Sequence, residues 1–198
     1  MFDQFQNSLE LLKTQTIQNL TIIGYILAVL WGVFLISCFF KPILYLGIIP
    51  RRLRGLPGIV FSPLLHLNFN HIFFNTIPLV VLANFILLQG IPFFIVVTVA
   101  ITLMSGFLTW CFGKSGLHIG ASSVVTGYWA LLISDIFQQG TFMAIVLGAV
   151  SFYYFAGILL GLLPGKKDVS WEGHLFGLIS GFAVSWFMAR FAYAFVLS

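Results

Sequence analysis

Few residues in this chain have chemistry to offer, and they come in a pattern. Gly120-Ala121-Ser122-Ser123 precedes an apolar run, so the two serines fall where a loop turns into a helix. A helix N-terminus leaves backbone N–H groups without intrahelical partners, which suits a hydroxyl or a developing negative charge. A serine hydroxyl is a weak nucleophile until a base takes its proton. His174, within Trp171-Glu172-Gly173-His174, is the candidate base. An unperturbed imidazole has a pKa near about 6.5 and is mainly neutral at pH 7. His71 and Asn75 lie four residues apart and share one helix face. With the backbone N–H of Ser122 they are candidate donors to the oxyanion of acyl transfer, where one donor is worth about 3 kcal/mol. Glu172, two residues before His174, falls on another helix face, so a Ser-His dyad is expected rather than a triad. Taken singly, each residue is explained by capping, packing or an interfacial position. Only their common placement points to chemistry.

That placement follows from the elements that carry them. Of the 198 residues, 60% are hydrophobic and only 7% charged. Soluble domains carry roughly 25% charged residues, so the chain belongs in a bilayer. A short N-terminal leader, 1–20, precedes an expected all-α, polytopic domain at 21–197. Six spans are expected at about 21–40, 71–88, 91–110, 120–137, 141–163 and 172–197. A long first loop, 41–70, is punctuated by Pro50, Pro57 and Pro63 yet rich in apolar residues, and is expected to lie against or partly in the membrane. Counting spans then puts the starts of the second, fourth and sixth at one membrane face. His71, Asn75, Ser122 and His174 would share that face and one shallow depth. Gly177 and Gly181 form a Gly-xxx-Gly pair that admits close helix approach, and the small face made by Gly120, Ser123 and Gly127 is its expected partner.

The same composition excludes other classes. A net charge of +4, scattered over loops, is too small to imply nucleic acid. Cys38 and Cys111 suggest neither a disulfide framework nor a metal site, and no His-Glu-x-x-His spacing occurs. His66 and His118 read as structural or substrate-edge loop residues, and Asp168 and Glu172 as cap or loop charges. No internal repeat supports an inverted-repeat transporter. Lys41, Arg51, Arg52, Arg54, Lys114, Lys166 and Lys167 fall on one face, against Lys13 and Arg190 on the other. The positive-inside rule then favours a cytoplasmic first loop.

His71-x-x-x-Asn75, Gly120-Ala121-Ser122-Ser123, and His174 with Gly177 and Gly181, in this order along the chain, resemble the rhomboid family of intramembrane serine proteases. The resemblance covers about residues 20–194. It implies a rhomboid-like bundle of six transmembrane helices, Ser122 as nucleophile and His174 as general base and acid. It implies substrates that are transmembrane segments of membrane proteins entering laterally from the lipid bilayer, no metal or cofactor, and a bacterial plasma-membrane location. The family's usual orientation, with an extracytoplasmic active site, is opposite to the charge count. Three positions depart from the family pattern. Ser123 stands where glycine is usual, Thr126 where an aromatic often stacks on the imidazole, and Gly55-Leu56-Pro57-Gly58 where a Trp-Arg pair is common. A non-proteolytic binder of transmembrane clients and a small channel or transporter are the alternative readings.

Overall fold

The computed structural model describes residues 2–162 and 171–196, with side chains described at most of these positions. The loop 164–168, with Lys166, Lys167 and Asp168, lies outside the described residues, as do 197 and 198. The described chain is helical, with one isolated antiparallel bridge between Ile48 and His118. Its α-helices are α1 (Phe2–Phe39), α2 (Gly58–Phe61), α3 (Phe69–Leu87), α4 (Ile91–Phe112), α5 (Ser122–Gln138), α6 (Phe142–Phe155) and α7 (Trp171–Val196). Short 3₁₀ turns at Lys41–Leu46, Leu53–Gly55 and Ser62–Leu64 carry the long first connection, and Ala156–Leu162 extends α6.

Six spanning helices are not what the structure shows. Among the described residues, four helices are long and apolar enough to cross a membrane: Leu12–Phe39, Phe69–Leu87, Ile91–Phe112 and Phe142–Leu160. The reason lies in α5 and α7. Helix α5 has 17 residues, about 25 Å at 1.5 Å per residue, against a hydrocarbon core of about 30 Å. It also carries Thr126, Ser134 and Asp135, all buried. Helix α7 is long enough, but its described residues include Glu172, His174, Ser180, Ser185 and Arg190 and fall short of the apolarity of the other four. Thr126, Ser134 and Asp135 of α5, and Glu172, Ser180 and Ser185 of α7, which bilayer contact would penalise, are tolerable because they are buried in protein.

Helix α5 is the centre of the molecule. From Val124 to Leu132 every residue is buried, while α1, α3, α4 and α6 turn residues such as Tyr25, Phe74, Val99 and Phe152 outward. Tyr128, 1% exposed, meets Thr98 of α4 through their hydroxyls at 2.6 Å. Trp129 donates to the Ser151 carbonyl of α6 at 3.0 Å. At the far end, Asp135 accepts from Ser185 of α7 at 2.7 Å and from Gln139 at 2.8 Å. Gln139 in turn reaches Gln89, in the α3–α4 turn, at 3.1 Å. A buried carboxylate so supplied with donors costs far less than a bare one.

The tightest seam joins α5 to α7. A β-carbon on Gly177 would overlap the Ser123 backbone, and one on Gly181 would overlap the Gly127 carbonyl. Residue numbers rise together along both helices, so α5 and α7 run parallel with their N-termini at the same end. Gly177→Leu or Gly181→Leu should therefore lower stability by at least about 1–3 kcal/mol through overpacking. Gly32→Leu, on an open face of α1, should leave the midpoint of thermal unfolding in detergent nearly unchanged.

Candidate active site

The long first connection organises the site from below. Gly58 lies against the Gly47–Ile48 backbone and Gly106 of α4 against Ile59, which folds the loop flat on α4. Arg51, at φ 58°, donates from Nη1 to the carbonyls of Cys111 (3.1 Å) and Gly113 (2.8 Å). These are carbonyls at the C-terminal end of α4, where a cation and extra donors are both favoured. Trp110 Nε1 returns a bond to the Arg52 carbonyl at 3.0 Å. Ile48 and His118 exchange backbone bonds of 3.0 and 2.8 Å. Arg51 is thus part of the fold rather than an ordinary flanking charge.

The same loop then sets the turn before Ser122. Gly120 N–H donates to the Ser62 carbonyl at 2.9 Å, and Ala121 N–H to His66 Nε2 at 3.3 Å. His66 is fully buried. Accepting at Nε2 fixes its neutral ring with the proton on Nδ1. Burial, helped by the neighbouring His71, pushes its pKa down to about 4, against a small upward pull from the Leu64 backbone. The His66 and His71 rings meet edge to face with centroids 5.0 Å apart.

Helix α3 brings in the second pair. Asn68 caps it, its Oδ1 accepting from His71 N–H at 2.9 Å, so the first turn starts at a fixed residue. His71 and Asn75 then point at the turn before Ser122. A β-carbon on Gly120 would fall 2.6 Å from His71 Nε2 and 3.8 Å from Asn75 Nδ2. Gly120 also has φ 119°. Space and backbone conformation both demand glycine there. Asn75, buried, also donates to the His71 carbonyl at 3.0 Å.

Ser122 is the first residue of α5 and half-buried. Ala121, before it, supplies no side-chain cap, and the Thr126 hydroxyl is turned back onto the Ser122 carbonyl at 2.7 Å. His174, half-buried, lies one turn before Gly177 on α7, and Gly177 rests on Ser123. His71, Asn75 and Gly120 are therefore in direct proximity, with Ser122 two residues on. Helix α7 carries His174 to the same end. Glu172 faces elsewhere, toward Lys114. No group of three potential metal ligands occurs among the described residues.

A rhomboid domain signature matches residues 54–191, and the chain belongs to the rhomboid family. It is an integral membrane protein of that family of proteases. The uncharacterized protein Rv1337 of Mycobacterium tuberculosis is 38% identical over 153 residues, 72% of this chain and 63% of the relative. The uncharacterized protein ML1171 of Mycobacterium leprae is 37% identical over 142 residues, 67% of this chain and 56% of the relative. The chain thus spans less than two thirds of these bacterial relatives.

His66 is the site-forming residue that spacing did not single out. It lies five residues before His71, in a segment without helical periodicity, and only the fold shows it beneath Ala121. His66→Leu removes the acceptor of a buried N–H and should cost about 1–3 kcal/mol. The sign of its pH effect follows from linkage. The unfolded imidazole titrates near about 6.5 and the folded one lower, so its stabilising effect is full above that pH and is lost as pH falls toward about 4. Thermal unfolding measured from pH 7 to pH 4.5 should show a smaller loss in His66→Gln than in the unaltered protein.

Proposed function

We propose that this chain is an intramembrane serine endopeptidase that cleaves transmembrane segments of bacterial plasma-membrane proteins. In this reading Ser122 Oγ attacks the scissile carbonyl while His174 takes its proton. His174 then returns the proton to the leaving amine, and water releases the acyl group by the same steps in reverse order. Asn75, His71 and the Ser122 N–H stabilise the oxyanion. The observation that carries this reading is the packing of His71 and Asn75 against Gly120, at the turn that leads into Ser122. The seam of Gly177 on Ser123 supports it, because it sets the base-bearing helix beside the nucleophile-bearing one. Ser122 at the uncapped start of α5 has the helix N-terminal field on its side.

A fluorophosphonate or isocoumarin probe should label Ser122, and Ser122→Ala and His174→Ala should each abolish cleavage of a model transmembrane substrate while the fold persists. Asn75→Ala should slow cleavage roughly a hundredfold, the loss of about one oxyanion donor. Cleavage that survives Ser122→Ala would sink the mechanism. Capture of a transmembrane client with no cleavage by the unaltered protein would favour a non-proteolytic binder instead.

A further inference from the structure

Glu172 opens α7 two residues before His174, and its side chain is only 7% exposed. Its Oε1 is buried and accepts no hydrogen bond among the described residues. Facing it at 3.7 Å is the ammonium of Lys114, whose side chain is 70% exposed. The same ammonium sits 5.3 Å from the centroid of the Trp171 indole, an attractive cation–π arrangement. Lys114 belongs to the segment between α4 and α5 that ends in the nucleophile turn. Its carbonyl accepts from His118 Nε2 at 2.8 Å, and the His118 backbone is bridged to Ile48. The segment is therefore braced on the first loop at its base and tied to the start of α7 at Lys114.

From this juxtaposition we propose that Lys114, Glu172 and Trp171 form a positioning latch that holds the start of α7, and with it His174, in register with the Ser122 turn. The inference rests on the protease reading. Neither Lys114 nor Glu172 touches substrate in it; both act through the placement of His174. The glycine seam fixes α7 from Gly177 onward, whereas His174 lies a turn beyond it toward the helix start. Removing Lys114 strands the desolvated Glu172 carboxylate without its counter-charge, and that is the costly outcome for a buried charge. A positive charge over an indole and beside a buried carboxylate also fixes where the segment crosses α7.

The test uses the full chain in detergent and a fluorophosphonate probe, with the maximal labelling rate and the half-saturating probe concentration measured separately. Lys114→Met and Glu172→Gln should each lower the maximal rate at least tenfold with little change in half-saturation. The double variant should be no slower than the slower single one, and Lys114→Arg should retain most of the rate. A purely structural role would lower the unfolding midpoint while leaving the rate per folded molecule unchanged. Lys114→Met, altered at an exposed side chain, carries the test if Glu172→Gln proves unstable. Labelling of Ser122 in the unaltered protein with both single variants within twofold of it would overturn the latch alone. No labelling of the unaltered protein would overturn the protease reading and the latch with it.

Discussion

The structure depends on the contact of two backbones. Gly177 and Gly181 let α7 rest directly on the main chain of α5 at Ser123 and Gly127. No side chain intervenes, so the relative depth of the two helices is set by peptide geometry and not by rotamers that can change. Everything else at the site refers to that seam. Helix α3 enters from the other side, with the His71 imidazole occupying the space that a side chain at position 120 would need. The two glycine requirements bound the turn at Ser122.

The first connection serves as a floor rather than a link. Its 3₁₀ turns, Arg51 and Trp110 knit it to the end of α4. From that floor Ser62 and His66 hold the two amides that precede Ser122. Both amides are taken by fixed acceptors, which leaves the first helical N–H groups of α5 as the donors nearest the serine. The division of labour is physical: amides before the serine build the turn, and those after it begin the helix.

The sequence disclosed the helical class, the rhomboid resemblance and the candidate residues because glycine, histidine and asparagine in apolar runs are costly and therefore informative. It misled on the number of spans. An apolar run in a one-dimensional reading looks the same whether lipid or protein surrounds it, and α5 is enclosed by protein. Asp135 marks the difference, since its partners Ser185, on α7, and Gln89, in the α3–α4 turn, come from distant segments that no local window includes. The sequence read His66 as a structural or substrate-edge loop residue, but not its place beneath Ala121, nor the contact of Lys114 with Glu172. These contacts arise from loops folded against other segments, where neither a 3.6-residue period nor a spacing motif exists to be read.

The bonds that shape the turn before Ser122 have a kinetic side as well. Arg51 to Gly113, Trp110 to Arg52 and Ala121 to His66 join residues 62, 58 and 55 positions apart. Each closes a loop that contains α3 and nearly all or all of α4. Such closures cost entropy that local helix formation does not, and contacts of this separation form late. The hairpin must therefore be in place before the turn at Ser122 acquires its shape. During biogenesis a half-assembled chain would hold Ser122 in an unorganised loop, and the turn before it would take its shape only with the completed fold.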